Sequence, residues 1–317
     1  MTGLTVLEIC AGAGGQAIGL EAAGWHHAAV VDNDPAACET LRQNRPSWKV
    51  IEKDIAQLDG REFQSIDLLA GGLPCPPFSI AGKQLGSDDD RDLFPEALRL
   101  IEEVSPAAVM LENVRGIATK RFDHYREWLL GALQELGYEP DWRLLKASDF
   151  GVPQLRPRFV LVALKPRCAD KYVWPEPKEA APTVGETLVD LMAAEGWPGA
   201  REWANQASTI APTIVGGSKK HGGPDLGPVR ARKAWRALGV DGRVVADAPP
   251  SRDFPSDGYP RLTVGMVARL QGFPSDWTIS GRKTPAYRQV GNAFPPPVAQ
   301  AVGESIRKAL VTDAAYV

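Results

Sequence analysis

Apolar residues gather in short runs over the first third of the chain, separated by helix-spaced stretches or turn residues. Residues 4–10, Leu-Thr-Val-Leu-Glu-Ile-Cys, form the first run and predict a buried strand. Ala11, Gly12, Ala13, Gly14 and Gly15 then make a tight turn, and residues 16–23 read as a helix closed by Gly24. Residues 27–31, 48–51, 66–70 and 107–111 are further runs of strand length, with a helix over 93–103 before the last. This alternation predicts an α/β fold built on a doubly wound, mostly parallel sheet, whose ligands lie beyond the carboxyl ends of the strands. After Pro166 the pattern changes. Pro175, Pro177 and Pro182 mark a linker, Pro/Gly-rich segments follow, and a helix over 297–310 closes the chain. At 317 residues the chain exceeds the usual single-domain size, so two domains are expected.

Several polar residues fall at the strand-end edge. The glycine turn lets a ligand approach the backbone at a helix N-terminus, although such a turn also serves simply to pack a helix on a sheet. Asp32 stands about 20 residues further on, where a nucleotide-binding fold places a carboxylate for ribose hydroxyls, and this favours a ribose-bearing cofactor. Asp54 follows the third strand, and Glu112-Asn113-Val114 ends the fifth. Cys75 occupies the turn after the fourth, Gly71-Gly72-Leu73-Pro74-Cys75-Pro76-Pro77-Phe78-Ser79. An isolated cysteine is more often packed and inert. Here proline fixes φ and glycine admits a neighbouring backbone, which sets the thiol on a rigid, accessible ledge suited to a nucleophile.

With these residues in place the chain resembles the DNA cytosine-5 methyltransferases, and the match runs along most of its length. The turn Ala11-Gly12-x-Gly14-Gly15 is similar to the family's S-adenosylmethionine loop, Pro74-Cys75 to its nucleophile motif and Glu112-Asn113-Val114 to its second catalytic motif. Gln154-Leu155-Arg156-Pro157-Arg158 resembles its Gln-x-Arg-x-Arg strand. Arg269-Leu270-Gln271-Gly272-Phe273-Pro274 and Gln289-Val290-Gly291-Asn292-Ala293 resemble its last two motifs. The chain departs from the family at Cys10, where an aromatic residue is usual, at Asp32, usually Glu, and at Pro76, where Gln is common.

The resemblance implies a chemistry that needs these residue types. Carbon 5 of cytosine is a poor nucleophile until a thiolate, here Cys75, attacks carbon 6. Glu112 then neutralises the charge building at N3, if burial keeps it protonated. Arg158 contacts the base O2 and helps hold this acid, and Arg156 adds a positive field that favours the thiolate. Methyl transfer is an in-line displacement, and the target cytosine must be rotated out of the duplex to reach the site. Residues 80–91 have the composition of a loop that closes over the flipped base, with Asp88, Asp89 and Asp90 as a solvated turn. The implied cofactor is S-adenosyl-L-methionine, with S-adenosyl-L-homocysteine as product. Beside the glycine turn it is expected to meet Asp32 and Asn33, Asp54 and Ile55, then Gly72, Pro74, Leu93 and Asn292.

Charge distribution points to the partner. The formal charge of −3 argues against a generic DNA-coating protein, yet residues 201–245 carry eight basic against three acidic residues, while residues 1–60 carry four against eight. DNA contacts are therefore expected from Lys219 and Lys220 in the glycine-rich loop and from Arg230, Arg232 and Arg236, with Ser79 at the nucleophile turn. The expected division is a catalytic domain over 1–177 plus 285–317 and a target-recognition domain over 178–284. In this family the C-terminal helix packs back on the first domain. Cysteines 10, 38, 75 and 168 lack paired spacing and suit a reducing cytoplasm, histidines 26, 27, 124 and 221 form no ligand set, and no metal is expected. No membrane-spanning run or signal sequence is seen. The expected partners are double-stranded DNA and a restriction endonuclease acting on the same site without forming a complex, the protein being a monomer in a bacterial cytoplasm, associated with the nucleoid. Three rivals stand beside this reading. An exocyclic-amino methyltransferase shares a Pro-Pro-aromatic motif at the same strand end, but needs an acceptor in place of Cys75. The RNA branch of the family shares the core motifs, and a non-enzymatic relative would have eroded ones.

Overall fold

The computed structural model describes residues 3–74, 92–177, 180–218 and 222–314. Cys75, Ser79, Lys219, Lys220 and the loop 80–91 lie outside the described residues.

Seven strands, β1 (Thr5–Ile9), β2 (His26–Asp32), β3 (Val50–Glu52), β4 (Leu68–Gly72), β5 (Ala108–Val114), β6 (Glu139–Lys146) and β7 (Pro157–Leu164), form one sheet in the order β3-β2-β1-β4-β5-β7-β6. The pairs from β3 to β5 are parallel, and β7 runs antiparallel to β5. The chain winds from β1 out to β3 and then returns to β4 on the other side of β1. The carboxyl ends of β1 and β4 thus flank the point where strand order reverses, the place such sheets hold ligands. Strands covered on both faces must be apolar throughout, and Leu68, Leu69, Val109, Met110 and Leu111 are all fully buried. Helix Phe94–Val104 supplies Ala97, Leu100 and Ile101 to the same core.

The expected helices appear as Gly15–Ala22, Phe94–Val104 and Pro296–Ala314. One expectation needs correction. The Gln154-to-Arg158 stretch is not a single strand, because β7 begins only at Pro157. The backbone of 153–155 bonds instead to Ala211, through Leu155 N–H to Ala211 O at 2.8 Å and Ala211 N–H to Pro153 O at 2.8 Å, which turns Gln154 and Arg156 away from the sheet's own ladder.

The chain divides into two compact units. The first comprises Met1–Leu145, Pro157–Glu176 and Val298–Val317, and the second Lys146–Arg156 and Pro177–Pro297. The sequence reading put the changes near 177 and 285. In the first unit Trp25 Nε1 donates to Gly303 O of the last helix at 3.0 Å. Among the described residues no helix is long and apolar enough to cross a membrane.

Candidate active site

The glycine turn after β1 is held open by its own backbone. Cys10, Gly12 and Gly14 have φ of 52°, 53° and 85°, the left-handed region where glycine is favoured. Asp32 fixes this shape: one carboxylate oxygen accepts from Gly12 N–H at 2.8 Å and the other from Asp34 N–H at 2.8 Å. Among the described residues a Cβ on Gly12 would meet no atom within 4 Å, so the turn is open on that side. Asn33 Nδ2 donates to Asp54 at 3.4 Å, and Asp54 caps a short 3-10 turn through Ala56 N–H at 3.0 Å. Ile55 in that turn is buried in the core, and Leu93 packs on the same cluster. Cys10 is no competitor for a nucleophile's role, since burial and the charges of Asp32 and Asp54 push its thiol far up. Burial likewise pushes Cys38 up to about 12, and its Sγ lies 3.4 Å from Asp32 O.

Glu112 stands at the carboxyl end of β5, opposite Gly72 of β4 and Val160 of β7. Arg158 is opposite Val114, two residues along the ladder, so period-2 alternation puts both side chains on one face. Arg158 Nε lies 2.7 Å from Glu112 Oε1, an ion pair rather than an aligned hydrogen bond, with both residues more than nine-tenths buried. Asn113, fully buried, donates to Leu73 O at 3.4 Å, while its own oxygen accepts from Val114 N–H at 2.8 Å. Leu73 N–H in turn bonds Glu112 O at 3.2 Å. The backbone entering Pro74 is thereby fixed against the strand that carries the acid.

Two residues that the sequence reading passed over belong to this edge. Gln16, 3% exposed in the first turn of helix Gly15–Ala22, has neither end of its amide hydrogen-bonded. A Cβ on Gly72 would lie 3.4 Å from Glu112 Oε2 and 3.9 Å from Gln16 Oε1, so the amide and the acid face one point. The signal in the sequence is a polar residue in the first turn of a helix that is apolar from Ala17 to Leu20. Glu8, the penultimate residue of β1, is fully buried 3.2 Å from His27 Nε2; burial raises its carboxyl, against the pull of His27. Its Oε1 and His27 Nδ1 are left without hydrogen-bond partners.

In the second unit the later motifs meet in a buried polar network. Gln154 donates to Gln271 Oε1 at 2.6 Å and accepts from Ile214 N–H at 2.8 Å, and Gln271 donates to Val290 O at 2.8 Å. Arg156, with no exposed surface, donates to Ile214 O at 2.6 Å and to Gly291 O and Ala293 O at 2.8 Å each. Asn292, exposed, donates to Gly217 O at 3.1 Å. Gly291 can only be glycine, because a Cβ there would sit 2.5 Å from Gly216 Cα. Helix Val229–Ala237 carries exposed Arg230, half-buried Arg232, and Arg236, whose guanidinium stacks 3.2 Å from the Tyr259 ring centre.

The whole pattern has known relatives. The chain is 61% identical to the Type II methyltransferase M.NaeI of Lentzea aerocolonigenes over 98% of its length and 76% of that protein's. It is 52% identical to M.NgoMIV of Neisseria gonorrhoeae over 96% of its length and 98% of the relative's. The Entamoeba histolytica methyltransferase EhMeth shares the fold at a TM-score of 0.67 and 15% identity, with 96% of this chain and 98% of that one covered. Residues 4–308 match the family model described as C-5 cytosine-specific DNA methylase, so the chain belongs to that family.

Proposed function

We propose that this DNA (cytosine-5-)-methyltransferase moves a methyl group from S-adenosyl-L-methionine to carbon 5 of a cytosine rotated out of a specific double-stranded sequence, through a bond between Cys75 and carbon 6. The observation that carries the reading is the buried Glu112–Arg158 pair at 2.7 Å, beside the strand that leads into Pro74-Cys75. S-adenosyl-L-methionine supplies a methyl group on a sulfonium sulfur. The strand ends suit such a molecule: the Gly12 turn is open on one side and the buried Gln16 amide lacks a partner, a deficit worth about 1–3 kcal/mol that a polar ligand removes. In this reading Asp32, Asn33, Asp54 and Ile55 hold the nucleoside, while Gly72, Pro74 and Leu93 wall the reacting end. Asn292 is the remaining cofactor residue in this reading.

Cys75 thiolate adds to carbon 6, and Glu112, which takes up a proton as the base enters, passes it to N3, which leaves carbon 5 electron-rich. Arg158 holds Glu112 in place and meets the base O2. Carbon 5 takes the methyl group, a base removes its proton, the N3 proton returns to Glu112, and expulsion of the Cys75 thiolate restores the double bond. Lys219, Lys220, Arg230, Arg232 and Arg236 of the second unit, with Ser79 of the first, contact the duplex. Relatives named as Type II methyltransferases support a methylated site shielded from a separate endonuclease, and in this reading the chain works as a monomer in a bacterial cytoplasm.

The test is to incubate the protein with methyl-labelled S-adenosyl-L-methionine and either duplex DNA or RNA, then digest to nucleosides. Label in 5-methyl-deoxycytidine is expected. Label confined to RNA, or to an exocyclic nitrogen, would overturn the proposal.

A further inference from the structure

One carboxylate in the second unit holds two arginines. Asp241 is 9% exposed. It accepts from Arg243 Nε and Nη2, each at 2.9 Å, and from Arg261 Nε at 3.0 Å. Its backbone N–H bonds Pro260 O at 3.0 Å, which joins the two segments that carry these arginines. Both guanidinium side chains reach solvent, Arg243 at 72% and Arg261 at 44% exposure. Arg236 stacks on Tyr259, two residues before Arg261, so three arginines stand near one carboxylate and the local net charge is positive.

A long exposed arginine ordinarily wanders among rotamers, and a fixed one loses less freedom on binding. Arg261 spends only Nε on Asp241, so the terminal pair of nitrogens, the fork that matches O6 and N7 of guanine, points outward from a fixed stem. A phosphate contact needs no such aiming, and a neighbouring carboxylate would oppose it. We infer that Asp241 presets Arg261 to read a guanine edge in the target duplex, with Arg243 locking the carboxylate in place. The inference rests on the proposed action on double-stranded DNA and names a reader for it.

The test measures initial methylation rates of the wild type and of Arg261→Ala, Arg261→Lys and Asp241→Asn on a library of duplexes varied around the target cytosine, at two salt concentrations. Arg261→Ala is expected to lose about tenfold or more at the preferred sequence, to become indifferent to one base pair and to keep the parental salt slope. Arg261→Lys does not restore the preference, and Asp241→Asn relaxes the same position in part. A uniform loss across all sequences with a shallower salt slope would make Arg261 a phosphate contact and overturn the inference, as would an unchanged preference. Should Asp241→Asn melt early, Arg261→Ala, at an exposed position, still decides. A wild type inactive on every duplex would defeat the proposed function first, and that arm is read separately.

Discussion

Replacing Arg156 by Met separates two roles for this residue. Its guanidinium donates to three main-chain carbonyls, of Ile214, Gly291 and Ala293, at 2.6 to 2.8 Å and without exposure to water. Each buried carbonyl left without a donor costs about 1–3 kcal/mol. Relief from burying the charge returns several kcal/mol. The balance is a loss of about 3 kcal/mol, or roughly 4–5 °C in melting temperature for a chain of this length. Arg156→Lys loses as much, because one ammonium cannot span the positions that a planar fork reaches. The assay pairs thermal melting with the pH profile of kcat/KM. A clamp predicts the full fall in melting temperature with the pH limbs unmoved. If Arg156 acted instead as the positive field that lowers the Cys75 thiol, Arg156→Met would melt with the wild type. Its rate would then rise only at higher pH, because the thiolate would form later. That outcome refutes the clamp.

Glu112→Gln keeps the side chain's shape but supplies no proton, so DNA binding should survive while the single-turnover methylation rate falls by roughly 10²-fold or more. Adjacent glycines should part company in melting and kinetic assays. Gly71→Ala drives a Cβ to 2.7 Å from Ile9 Cγ1 and costs about 1–3 kcal/mol, whereas Gly72→Ala, 3.4 Å from Glu112 Oε2, leaves melting nearly unchanged and slows methylation. The arginines around Asp241 hold its carboxyl well below the usual range, so its contribution to stability is present above about pH 4 and is lost as pH falls below that. Urea unfolding should therefore show a wild-type advantage over Asp241→Asn at pH 7 that shrinks by pH 3; a constant difference contradicts it.

Strand-length apolar runs and a glycine turn made the parallel half of the sheet readable, because strands buried on both faces leave continuous hydrophobic sequence. β7 was harder to see. Its partner β5 is antiparallel, and the motif before it mixes two environments, with Arg158 on the ladder beside Glu112 and Arg156 among carbonyls of the second unit. Nothing in the spacing of Gln154, Arg156, Gln271 and Gly291 tells that they share one hydrogen-bond network, since partners more than 100 residues apart are joined by tertiary structure alone. Gln16 and Glu8 were missed because a single polar residue in an apolar run reads as tolerance until its burial is known. Asp241 sits among basic residues whose charge excess was visible, but the aim it gives Arg261 was not.

The central claim is that Cys75 bonds to carbon 6 of the target cytosine during turnover. It is tested most directly with a duplex carrying 5-fluorocytosine at the methylated position, incubated with S-adenosyl-L-methionine and the protein and then run under denaturing conditions. Fluorine cannot leave as a cation, so elimination stalls after methyl transfer. A protein–DNA adduct that survives denaturant is expected, and Cys75→Ala should form none. Absence of an adduct with the wild type while ordinary duplexes are methylated, or full methylation by Cys75→Ala, would contradict the mechanism.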